Sequence, residues 1–210
     1  MSQVTPPKVH HERTNSNLIP HDDVPFDYLS RCYHFQEMLE GHLYVALADA
    51  DKVDTLCLQA GVSFTHVLRI EHVEDPVASG SRSEEMMNGV CRAQTLTLKC
   101  PRQEKRSGYT SLSASQLIAA RDYLSLVMPY TGHSVQKMCA PCFNVKLLIV
   151  APAGCAVDVM SVVTCYLAFS SGYHAETVMH YMGEEEYDEA WKGGTSQEGL
   201  DFVERIARII

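Results

Sequence analysis

The chain reads as a three-layer α/β domain, with a central, mostly parallel sheet flanked by helices. Three observations predict this. Apolar segments of strand length alternate with segments of helical periodicity from Leu43 onward. The segment Val145–Val150 is apolar on both faces, as a strand covered from two sides must be. It runs through Pro152-Ala153-Gly154 into an amphipathic segment reaching Ser170, giving a strand, a glycine turn and a helix start in succession.

The elements follow in order. Residues 1–24 hold Pro6, Pro7, Pro20 and the polar run Arg13–Asn17, a composition that predicts a flexible arm before a domain spanning 25–210. His10, His11, His21, Asp22 and Asp23 read as solvated polar residues of that arm, because no Cys or His partner is spaced to close a metal site with them. Leu43–Ala46 is a short strand. Asp49–Ala60 has helical spacing at Val53, Leu56, Cys57 and Ala60, an acidic start and Gly61 behind it. Thr65–Ile70 alternates as a strand, so the order predicts a parallel pair joined by a right-handed crossover. Glu74–Ser83 reads as a Gly/Ser/Pro loop, Gln94–Lys99 as a strand, and Cys100–Tyr109 as a charged loop. Ser113–Met128 is a helix with Leu117, Ile118, Ala120, Tyr123, Leu124 and Val127 on one side. Pro129–Pro141 reads as an inserted connection before the central strand. A helix from Val159 is expected to pack Val162, Val163, Tyr166, Leu167 and Phe169 inward; helices at His174–Met182 and Gln197–Ile210 close the chain.

Composition narrows the function. At 210 residues, 46% hydrophobic and 20% charged, the chain suits one domain with a sizeable core. Net charge is −9, which argues against nucleic acid or an anionic membrane as partner. The longest apolar run is too short to span a bilayer, and Met1–Pro7 has no apolar signal core, so a cytoplasmic or nuclear location is expected. Eight cysteines in that setting read as reduced thiols.

Several segments, agreeing in order and spacing, resemble the dual-specificity branch of the cysteine-dependent phosphatases. Leu43-Tyr44-Val45-Ala46 and Gly61–Leu68 are similar to that family's opening "LY(L/V)G…LGITHVL" segment. Leu147–Gly154 with Val159–Phe169 resembles its phosphate-loop strand and helix, and Tyr173–Val178 and Gln197–Ile210 resemble the helices that follow. The resemblance covers Gly41–Ile210 and implies a phosphotyrosine protein phosphatase-like fold. It also implies a reaction whose residues are missing. The family needs H-C-x-x-G-x-x-R in the loop; here Val150 stands for the His, Ala151 for the nucleophile and Val157 for the Arg, and Pro152-Ala153-Gly154 alone survives, followed by Cys155 and Ala156. Ala151 has no nucleophilic atom, and Val157 cannot replace a guanidinium fork on phosphate oxygens. The general-acid Asp is missing too: between Lys99 and Arg121 the only carboxylate is Glu104. Asp158 reads as the N-cap of the following helix.

No catalytic residue, cofactor or metal ion is therefore expected, and the expected role is that of a pseudophosphatase binding or scaffold module with a protein partner. Two alternatives stay open. Cys100 has Arg106 six residues on, as a displaced nucleophile would, although Gln103 replaces the glycine. Cys139-Ala140-Pro141-Cys142 is a C-x-x-C pair, which points to redox sensitivity. His174 and His180 are not spaced for one helical face and read as surface residues, and Glu184-Glu185-Glu186 as a solvated turn.

Overall fold

One strand, β6 (Leu147–Ala151), organises the sheet because all five of its residues are buried. In the computed structural model the described residues are 26–74, 80–88, 91–101, 108–128, 145–184, 189–192 and 194–210. Leu147, Ile149 and Ala151 face one hydrophobic cluster, and Leu148 and Val150 face the other. A strand apolar on both faces can satisfy both only at the centre of a sheet covered by two helical layers.

The sheet order is β1-β2-β6-β3-β5-β4. Strands β2 (Leu43–Leu47), β3 (His66–Val73) and β5 (Cys91–Pro101) run parallel with β6, while β1 (Gln36–Leu39) and β4 (Gly80–Asn88) close the edges antiparallel. On one side lie α1 (Phe26–Tyr33) and α2 (Val53–Gln59), the latter entered by a 3₁₀ turn at Ala50–Lys52. There Leu29, Leu56 and Val67 pack with an aromatic group in which Phe35 stacks on Tyr44 at 5.6 Å between ring centres. On the other side lie α3 (Ala114–Val127), α4 (Ala156–Ser171), α5 (Ala175–Glu184) and α7 (Gln197–Ala207). Between the last two, the short α6 (Glu189–Lys192) places a buried Trp191, whose indole N–H donates to the His34 carbonyl at 2.9 Å.

The three-layer, mostly parallel α/β class predicted from sequence is therefore present. Three details differ. The expected neighbours β2 and β3 are parallel but not adjacent; β6 lies between them and pairs with both, since it is the strand that must be covered on both faces. The segment read as a loop up to Ser83 turns into β4 at Gly80, where backbone pairing with β5 overrides a Gly/Ser-rich composition. Helix α4 begins at Ala156, not Val159. Elements α1, β1 and α6 were not expected; they are short, and tertiary packing supplies what local pattern does not. The 1–24 arm and the Pro129–Pro141 insertion lie outside the described residues.

The helix ends carry ordinary signals. Ser113 and Gln116 form a capping box at α3, and the Gln116 amide also donates to the Lys99 carbonyl at 2.7 Å, tying α3 to β5. Ser196 caps α7 by accepting from Gly199 N–H at 3.1 Å. Gly108 fixes the approach of α7 to the segment before α3: its φ is +83°, and its carbonyl accepts the Ser196 N–H at 2.9 Å. A Cβ there would meet Ser196 N at 2.5 Å and Gly194 O at 2.7 Å.

Gly108→Ala should therefore destabilise the protein by about 1–3 kcal/mol from backbone strain and displacement, or a Tm drop of about 3–10 °C for a chain of this size. Thermal unfolding followed by circular dichroism checks this, and an unchanged midpoint refutes it.

Candidate functional site

The carboxyl ends of β2, β6 and β3 and the first turn of α4 meet at one edge of the sheet. The loop between β6 and α4 is short because Gly154 takes φ +80°, a left-handed conformation that glycine adopts without a Cβ penalty. The chain reverses there and enters α4 with Cys155 at the N-cap. Sheet alternation then decides where each loop residue looks. Val150 faces the α2 layer and Ala151, 1% exposed, faces α4. Ala153 and Gly154 are exposed, Pro152, Ala156 and Val157 are partly buried, and Cys155 and Asp158 are buried.

Asp158 does not cap the helix as expected. It is the third residue of α4, inside the helix, and its carboxylate turns away from the free amides. Oδ1 accepts the Thr110 hydroxyl at 2.8 Å and the Ser111 N–H at 2.5 Å; Oδ2 lies 3.1 Å from His72 Nε2. These partners come from the segment before α3 and from the end of β3. The buried carboxylate is thus fully engaged.

Cys155 joins the same group. One ligating atom each from His72, Cys155 and Asp158 lies within 4.8 Å of the other two. Sequence reasoning assigned nothing to His72, Thr110 or Ser111, since His72 is 86 residues from Asp158 and Thr110 is 48. The signal open to a sequence reader was register: His72 and Cys100 are direct partners across the parallel β3–β5 ladder.

Cys100, the displaced-nucleophile candidate, is wholly buried, and its thiol donates to the Glu71 carbonyl at 3.6 Å. Burial, with the nearby charges of Asp158 and Cys155, pushes its pKa up to about 12. A thiol so placed has almost no thiolate at neutral pH. Its partner Arg106, like Glu104 and the Cys139/Cys142 pair, lies outside the described residues. His174 is exposed, as expected, and pairs with Glu204 at 3.1 Å.

Beside the loop, on the α2 side, is a cleft of about 180 Å³ lined by Ala48, Val53, Arg69, Val150 and Pro152 among others. Arg69 is its cation, with a guanidinium 3.7 Å from Asp54 and an Nε that has no hydrogen-bond partner. This charge lies across the sheet from Asp158, because Arg69 shares the face of Val67 and His72 the face of Ile70.

A mostly parallel sheet covered by helices on both faces, with its central strand feeding a tight glycine loop and a buried helix, is a three-layer α/β arrangement. Among solved structures, the chain is similar to PTPMT1 in complex with PI(5)P (9% identity, 80% of this chain and 92% of that one, TM-score 0.47). It is similar to Tk-PTP in the active form (13% identity, 81% and 95%, TM-score 0.49) and to DUSP15 (12% identity, 83% and 87%, TM-score 0.46). No family model matches the chain, and no curated protein matches it.

Two outcomes follow from this geometry. Asp158→Ala leaves the partly buried Ser111 N–H and Thr110 hydroxyl without their acceptor, a loss of about 1 kcal/mol per group, so the unfolding midpoint in urea should fall with an unchanged slope. A midpoint equal to wild type would show that the carboxylate holds nothing. Iodoacetamide at pH 8 should label the exposed Cys32 in the native protein and reach the buried Cys100 and Cys165 only after denaturation. Peptide mass spectrometry reads this, and rapid native labelling of Cys100 refutes it.

Proposed function

We propose that this chain is a catalytically inactive phosphatase-like protein, a pseudophosphatase that acts by binding a protein partner. One observation carries the proposal: the loop after the central strand keeps the turn and the helix start, with Ala151 and Val157 at the two chemical positions and the Asp158 carboxylate buried in the first turn of α4. Turn and helix retain backbone amides suited to an anion, but neither a thiolate to attack phosphorus nor a guanidinium to hold equatorial oxygens. Uncatalysed phosphate-monoester hydrolysis needs up to ~10²¹-fold acceleration, which amides alone do not provide. The role that remains is recognition, in competition for the partners or substrates of an active relative, in the cytoplasm or nucleus. The burial of Cys100 weighs against a phosphatase working through that sulfur.

The test is turnover and ligand stabilisation together. The purified chain should release no phenolate from an aryl phosphate above a protein-free control. Millimolar phosphate or vanadate should leave the melting temperature in place, because a ligand raises stability only by binding the folded state. Turnover abolished by Cys100→Ser, or a melting temperature that climbs with vanadate, overturns the proposal.

A further inference from the structure

We propose that His72, Cys155 and Asp158 form a zinc site, in which the Nε2, Sγ and Oδ2 atoms bind one divalent ion. The inference stands on side-chain geometry and is independent of the phosphatase reading.

The first argument is the donor set. Imidazole, thiolate and carboxylate together suit a borderline-soft tetrahedral cation; an oxygen-only ion such as Mg²⁺ or Ca²⁺ has no use for the sulfur. The second is spacing. Metal–ligand bonds of about 2.0–2.3 Å at tetrahedral angles put ligand atoms roughly 3.3–3.6 Å apart. His72 Nε2 and Asp158 Oδ2 are already 3.1 Å apart, and all three donors fall within 4.8 Å.

The third argument is support behind the ligands. Asp158 Oδ1 is held by the Thr110 hydroxyl and the Ser111 N–H, leaving Oδ2 aimed at His72. Outer bonds of this type orient a carboxylate ligand and commonly change metal affinity by about 10–100-fold when removed. The donors also sit on or beside regular elements: His72 on β3, Asp158 in the first turn of α4 and Cys155 at its N-cap. Cys100, although in register with His72, donates its thiol to the Glu71 carbonyl and stays outside the set; water takes the fourth position. On binding, the Cys155 thiol gives up its proton to solvent and the ion replaces the His72–Asp158 hydrogen bond. Two anionic donors then balance the divalent charge in a buried setting.

Cobalt is the probe. The untagged full chain, freed of metal and titrated with Co²⁺ under reducing conditions, should take up one ion with a thiolate-to-cobalt charge-transfer band, and Zn²⁺ should displace it and raise the melting temperature. Cys155→Ser should remove the band, and Asp158→Asn should weaken binding at least ten-fold. Thr110→Val should weaken it about ten-fold without touching a ligand. Cys100→Ser and the double variant Cys139→Ser/Cys142→Ser should bind as wild type does. Circular dichroism establishes that each variant is folded. The proposal fails if wild type takes up no cobalt, if the band persists in folded Cys155→Ser, or if either control variant abolishes it.

Discussion

The carboxylate of Asp158 is the point on which the functional edge of this molecule depends. It reaches from the first turn of α4 to the Thr110 hydroxyl, the Ser111 backbone and the His72 ring. Those partners belong to the segment before α3 and to the end of β3, so one buried anion fixes the mutual position of a helix, a strand and a connecting segment. The same segment is held from its other end by Gly108, whose carbonyl receives Ser196 at the start of α7. Each of these polar groups is buried or partly so, and each would carry a desolvation cost if left alone. The arrangement therefore depends on each partner in turn, and the loop is held by all of them together.

That polar cluster lies where the hydrophobic pattern ends. Strand β6 is buried along its whole length, and α4 buries Val159, Met160, Val162, Val163, Cys165 and Tyr166 against it. Between these two apolar elements only Pro152-Ala153-Gly154-Cys155 is available for the turn, and positive φ at Gly154 makes the reversal possible. The packing that requires this turn is indifferent to what residues 151 and 157 can do chemically. Ala151 and the partly buried Val157 fit a cradle whose shape is set by core packing. Fold and reaction are separable here for a physical reason: the first rests on apolar area and the second on a few polar atoms.

The sequence was most legible where burial dictates the pattern. The two-sided apolarity of Leu147–Ala151 and the long periodic segment of α4 carried the class of fold, and Gly61 marked the end of the α2 segment by local chemistry alone. It was least legible where backbone pairing decides, as at β4, or where a side chain's partner is far away. Asp158 shows this best. Its position close to a helix start suggested an N-cap, which is a local rule; its real partners are 47, 48 and 86 residues distant. His72 was invisible for the same reason, since a histidine at the end of an alternating strand carries no local sign of function. Cys100 carried a misleading sign: an arginine six residues on looks like chemistry, while its position in β5 places the sulfur in the core.

The charge at this edge now has the opposite sense from that of an anion cradle. A phosphate loop works by pointing donors inward: amides, a guanidinium and the field of a helix N-terminus. In this chain the groups converging on the sheet edge from the α4 side are a carboxylate, a thiol and an imidazole, all of which offer lone pairs. The described arginine of the neighbouring cleft, Arg69, lies on the opposite face of the sheet and is turned toward Asp54. On the proposed readings, a nitrogen, a sulfur and an oxygen donor so grouped suit a divalent cation better than a doubly charged phosphate. A bound ion there would join β3 to α4 by coordination, in the place where Asp158 now joins them by hydrogen bonds. The two proposals meet at this one edge of the sheet, where a carboxylate and a thiol at the start of α4 face an imidazole at the end of β3.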